Sequence, residues 1–147
     1  MKHDSGFTLI ELMIVTAITG ILSAIAVGKL SVLRYRSIVS EAKKNLGAIR
    51  MCEFAYKTEY ETYYGPINRY PGSAGEDKQN WNYLESAFSV IGFSPISDVY
   101  FDYAVSSATA SAFLADAYGD LDGDGVEAHY TIGPNTSIEQ PTGKDAY

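Results

Sequence analysis

The stretch Gly6-Phe7-Thr8-Leu9-Ile10-Glu11-Leu12-Met13-Ile14-Val15 opens a run from Phe7 to Gly28 in which Glu11 is the single ionisable side chain. As a helix these residues reach about 33 Å, enough to cross a bilayer's hydrocarbon core. The residues allow three readings. One is a plain membrane anchor. Another is a secretory signal, with Lys2 and His3 before the apolar run and Ala24-Ile25-Ala26 as a small-residue cleavage motif. The third is a leader, residues 1–6, removed after Gly6 while the apolar segment stays in the product. Glu11 bears on the choice, because a carboxylate inside an apolar helix costs about 2.5–3.5 kcal/mol. Neither an anchor nor a signal is expected to gain from it. Cleavage after Gly6 would free the Phe7 amine four residues ahead of Glu11, on one helical face, where the two charges can pair within or between subunits.

Beyond this segment the apolar residues recur at helical spacing: Tyr35, Ile38, Val39, Ala42, Leu46, Ile49, Cys52, Tyr56, Tyr60 and Tyr63, with Arg36, Lys43, Lys44, Arg50, Lys57 and Glu61 opposite. The pattern predicts that the helix continues through 31–64 as an amphipathic half and stops at Gly65-Pro66. Such a helix is too long for a compact domain of this size, so its apolar half, residues 7–30, is expected to project into lipid or among identical helices. Cys52 reads as a small core residue, and Tyr56, Tyr60 and Tyr63 as packing residues for the head.

Residues 65–147 read as a globular head. A Pro/Gly-rich loop over 66–80 is followed by a short helix from about Asn80 to Ile91, with Trp81, Leu84, Phe88 and Ile91 on its apolar face. Three alternating runs, 99–105, 112–119 and 126–132, predict an antiparallel meander that needs the helix to cover its apolar face. The fold class is α+β.

Between the last two runs lies Asp120-Leu121-Asp122-Gly123-Asp124-Gly125. Acids at alternate positions followed by glycine match the front half of an EF-hand calcium loop. The back half is missing, since the twelfth position is Thr131. Calcium held by Asp120, Asp122 and Asp124, with Asp116 and Glu127 completing the shell, is one expectation; a solvated Asp/Gly turn is the other. No organic cofactor is expected. His129 reads as a solvated residue on the outer face of the last strand.

The 147 residues carry a net charge of −7, unevenly placed. Residues 29–61 stand at +3 and residues 62–147 at −9. This balance does not support direct nucleic-acid binding, and like-charged heads repel. A lone cysteine excludes an internal disulfide and a multi-thiolate zinc site. No nucleophile elbow, phosphate loop or zinc-protease motif is present, so an enzyme is not expected.

The string from Gly6 through Leu12 resembles the prepilin motif of type IV pilins and pseudopilins, and the resemblance covers roughly residues 1–60. It implies the type IV pilin fold, a long N-terminal helix on a small antiparallel head. It also implies cleavage after Gly6 by a prepilin peptidase and N-methylation of Phe7, which keeps the amine's charge. Glu11 would then meet the Phe7 amine of a neighbouring subunit. The precursor would wait in the inner membrane, N-terminus cytoplasmic and head outside. Inner-membrane assembly machinery would draw it into a helical homopolymer serving motility, adhesion or DNA uptake. Two features depart from the pattern. Gly28 stands where the family commonly has proline, and with Gly20 it gives the helix a site of flexibility. Lys29, Arg34 and Arg36 after the span run against the positive-inside rule. The alternatives are a pseudopilin of a type II secretion system, whose major form also carries acidic calcium loops, and a soluble calcium-binding module released at Ala26.

Overall fold

A computed structural model describes residues 7–73 and 75–142. Helix α1 runs Leu9–Tyr60. It is followed by strands β1 (Ile67–Tyr70), β2 (Asp102–Ala108), β3 (Phe113–Gly119) and β4 (Ala128–Ile132), with a 3-10 helix at Ala87–Ile91 between β1 and β2. The strands form one antiparallel sheet in sequence order. The arrangement is α+β, an apolar N-terminal helix followed by a four-stranded antiparallel sheet. The chain divides into two units, residues 1–35 and residues 36–147.

In the first unit, the helical residues from Leu9 to Ala26 have a mean hydropathy of 2.2 and none is buried, and the window is long and apolar enough to cross a membrane. The Thr16 hydroxyl donates to the Met13 carbonyl and the Thr19 hydroxyl to that of Val15. Both threonines are thus satisfied by the helix itself, as an apolar medium demands. The helix passes unbroken through Gly20 and Gly28.

The second unit is organised by the face of α1 that carries Val39, Ala42, Leu46 and Ile49, all buried. Opposite them the sheet register builds two cross-strand rows, Ile67–Val105–Ala115–Ile132 and Tyr70–Tyr103–Ala117–Tyr130. In each row alanine stands on β3 between larger residues, leaving a shallow track. The Asn45 amide donates to the Tyr103 hydroxyl on one flank, and the Lys43 ammonium lies over the Tyr130 ring on the other. The helix therefore lies along the alanine track. At Gly119 the Phe101 ring comes so close that a Cβ would stand 2.7 Å from it, so only glycine fits.

The structure departs from the sequence expectations at several points. The helix ends at Tyr60 rather than at Gly65-Pro66, with Glu61 in the left-handed region at φ 59° and its N–H on the Lys57 carbonyl. The cause lies one face away. The Glu53 carboxylate accepts the Tyr64 N–H at 2.8 Å and draws the chain out of the helix. Beyond Ile49 the buried stripe therefore continues through Glu53, while Tyr60 is exposed and stacks on Tyr56. A fourth strand, β1, lies in what reads as loop; four residues next to two prolines give too little alternation to betray it. The short helix is confined to Ala87–Ile91, capped by the Ser86 hydroxyl and by Gly92. Leu84 is consequently exposed, while Trp81 packs against Tyr70, Phe88, Phe93 and Tyr103. The run at 99–105 keeps its buried face, but ladder pairing begins at Asp102 and Val99 makes only an isolated bridge to Gln79. The last two strands start at Phe113 and Ala128.

Glu53 is fully buried, and its second carboxylate oxygen has no hydrogen-bond partner among the described residues. Burial raises its pKa to about 7. Between its unfolded value and about 7 the native chain holds a proton that the unfolded chain has lost. This contribution is therefore fully present below pH 4.5 and is lost as pH rises through 7. Glu41 is shifted the same way by burial, so some slope remains without Glu53. Glu53→Gln keeps an acceptor for Tyr64 and carries no charge. The expected result, by chemical denaturation of the full chain in detergent, is a shallower stability profile from pH 5 to 8. At pH 8 the variant should be more stable than the parent by about 1–2 kcal/mol. Identical slopes in the two proteins would refute the assignment.

Candidate functional site

Gly6 lies outside the described residues; Phe7 is the first within them and is exposed. Thr8 caps α1. Its N–H and hydroxyl both donate to Glu11 Oε2, at 2.8 and 2.7 Å, and the Glu11 N–H lies 3.4 Å from the Thr8 hydroxyl. Thr8-x-x-Glu11 is thus a capping box, with the acid also placed where the helix dipole favours it. Reading the segment as a span alone misses this local gain, although the S/T-x-x-E spacing was there to find. The cap uses one carboxylate oxygen. Oε1 makes no hydrogen bond among the described residues and is free to meet a cation.

The acidic turn is the second constellation. Asp120, Asp122 and Asp124 bring carboxylate oxygens within 4.8 Å of one another. The turn is shaped by its own acids. Asp120 accepts the Gly123 and Gly125 N–H groups on its two oxygens, at 2.9 and 3.0 Å, and Asp124 accepts that of Val126 at 2.7 Å. Gly123 at φ 70° and Gly125 at φ 84° supply the left-handed turns this curl requires. Leu121 is buried and anchors the turn to the head. The Glu76 carboxylate lies beside the turn, such that a Cβ on Gly123 would fall 2.6 Å from its Oε1. Sequence spacing could not reveal Glu76, which arrives from the loop after β1.

Asp116 and Glu127 are elsewhere. Asp116 is buried on β3 with one oxygen 2.8 Å from His129 Nε2. Glu127 is held bidentately by the Arg69 guanidinium, which also reaches Asp102 at 3.5 Å. Neither joins the Asp120–Asp124 cluster. His129, expected in solvent, is half-buried and stacks on Tyr118 at 4.4 Å, and Arg69 lies over that tyrosine ring at 4.1 Å. Alternation had placed His129 on the right face but could not show that the face is covered. The turn thus gathers three carboxylates, the oxygen donor type that hard cations such as calcium take, in fewer than the six to eight ligands calcium usually has.

Cys52 is half-buried, and burial pushes its thiol up, away from the reactive thiolate.

In comparisons with known proteins, residues 1–27 match the family described as "Prokaryotic N-terminal methylation motif". The chain is 35% identical over 146 residues to "Type IV major pilin protein PilA" of Myxococcus xanthus, covering 95% of this chain and 56% of that protein. It is 48% identical over 50 residues to a "Fimbrial protein" of Pseudomonas aeruginosa, covering 34% of this chain and 32% of that one. The chain thus spans about half the length of the first of these relatives.

Because, among the described residues, Asp120 holds two backbone N–H groups and Asp122 holds none, their replacement should differ without any metal. In chelator, Asp120→Ala is expected to destabilise the full chain by about 1–2 kcal/mol and Asp122→Ala to leave its thermal midpoint unchanged. Equal midpoints for the two variants would contradict the hydrogen-bonded turn.

Proposed function

Because the chain belongs to the type IV pilin and pilin-like family marked by the prepilin-type N-terminal motif, we propose that it is the structural subunit of a type IV pilus filament. In this reading the prepilin is cut after Gly6 and methylated at Phe7. Its apolar helix waits in the inner membrane with the N-terminus cytoplasmic and the head outside, then enters the filament core. The observation that carries the reading is the unengaged Oε1 of Glu11 on a fully exposed apolar helix. The cap stabilises the helix start but leaves a negative charge that an apolar surrounding penalises until a cation arrives. A Phe7 ammonium from a neighbouring subunit supplies that cation, while the surrounding apolar side chains bury one another. The exposed head would form the filament surface, used for motility, adhesion or DNA uptake.

We further propose calcium at Asp120, Asp122 and Asp124, with Glu76 beside them. Bound there, the ion would neutralise three acids gathered in one turn. Calcium is expected to raise the thermal midpoint of the full chain in detergent relative to chelator, and Asp122→Asn to abolish the difference. Coincident melting curves for the parent protein would remove the metal from this account.

The assembly reading is tested with Glu11→Gln, which retains the capping acceptor and discards the charge. Mass spectrometry of the membrane-inserted variant should find a methylated Phe7 at its N-terminus, while sheared cells yield no fibres. Fibres at the parent's yield would refute the ion pair, and a mature chain beginning at Val27 would refute the filament reading itself.

A further inference from the structure

The head carries an exposed apolar knob and, formed by other residues, an open cleft. We propose that the two are halves of one contact between successive copies of this chain. The inference rests on the filament reading and names a contact within it.

The knob is the turn Tyr83-Leu84-Glu85. It is braced by its neighbours. The Asn82 side-chain oxygen accepts the Leu84 N–H at 3.2 Å, the Tyr70 hydroxyl binds both the N–H and the carbonyl of Asn82, and the Tyr83 hydroxyl donates to the Ser89 carbonyl. Leu84 is therefore held out in solvent, 86% exposed, by a fixed backbone. Glu85 beside it is exposed as well.

The cleft, about 250 Å³, lies between α1 and the segment 95–99. Pro95, Ile96 and Val99 give it an apolar wall, and Ile96 is itself 90% exposed. Ser40, Glu41, Lys44 and Asn45 of α1 face that wall. Asn45 is bonded to Tyr103, and Glu41 is turned to the Tyr100 N–H at 2.9 Å, so the cation that lines the cleft is Lys44. Among the described residues neither Lys44 nor Glu85 has an ion-pair partner.

Charge decides the occupant. Residues 62–147 stand at −9 and residues 29–61 at +3, so copies meeting acid to acid repel, whereas an acidic turn against the basic helix attracts. Seating Leu84 against Pro95, Ile96 and Val99 brings Glu85 to the side of the cleft where Lys44 stands. Knob and cleft are different patches of one subunit. A contact joining them is heterologous, so each copy leaves a free knob and a free cleft and the assembly propagates.

The test uses the full chain assembled into sheared fibres. Oxidation of a Leu84→Cys/Ser97→Cys double variant should give a ladder of covalent oligomers that neither single variant gives with its native Cys52. Maleimide should label Leu84→Cys about ten-fold more slowly in fibres than in detergent-dispersed subunits, since a seated knob excludes water. Lys44→Glu and Glu85→Lys should each lower fibre yield and together restore it. Fibres in which Leu84→Cys labels as fast as in dispersed subunits overturn the proposal. Protection without a ladder places Leu84 against another part of the neighbour and overturns it too. Absence of fibres from the parent chain would instead count against the filament reading.

Discussion

A carboxylate near the start of an apolar helix is the constraint on which the rest turns. Glu11 is stable there as far as Thr8 can make it so, and Thr8 engages a single oxygen. The remaining charge cannot be hidden by the chain's own threonines, because Thr16 and Thr19 are spent on helix carbonyls. One such anion among unburied apolar side chains is what the proposed assembly would answer. The local cap is compatible with the proposed intermolecular pair, since it leaves one oxygen of the group unused.

The same helix treats polar residues differently in its second half. Glu41, Asn45 and Glu53 face the head rather than solvent, and each ends on a different part of it: the Tyr100 N–H, the Tyr103 hydroxyl and the Tyr64 N–H. Apolar burial is non-directional and would let a helix slide along an alanine track. The two directional bonds to Tyr100 and Tyr103, on and just before β2, oppose that sliding, while the third holds the chain that leaves the helix. The cost is visible at Glu53, whose unpartnered oxygen and raised pKa show a carboxylate retained for its geometry at the expense of its charge.

What the sequence made legible follows from which forces are periodic. Apolar spacing revealed α1, its buried stripe from Val39 to Ile49 and the buried faces of β2, β3 and β4, because burial acts on every third, fourth or second residue. Polar ties are aperiodic, and they account for the errors. Glu53 ended the helix early, Asn82 and Tyr70 bent the segment around Leu84, and β1 was too short to alternate. At the candidate site, the clustering of Asp120, Asp122 and Asp124 was legible because it is local. The diversion of Asp116 to His129 and of Glu127 to Arg69, and the approach of Glu76, depend on pairings distant in sequence.

Those diversions also change what a bound cation would do. With Cys52 alone, no disulfide can close the C-terminal region, and a metal is an obvious substitute. Yet the segment after β4 is already tied down. Thr131 and Glu139 exchange two backbone hydrogen bonds at 2.9 and 3.0 Å, the Thr142 hydroxyl accepts the His129 N–H at 2.9 Å, and Arg50 on α1 donates to the Thr136 carbonyl at 3.2 Å. An ion at Asp120, Asp122 and Asp124 touches none of these. It would act on the β3–β4 connection and on the loop that brings Glu76 beside it, relieving repulsion in a turn whose shape Asp120 already sets. The fastening of the C-terminal segment and the stiffening of the acidic turn are thus separate devices.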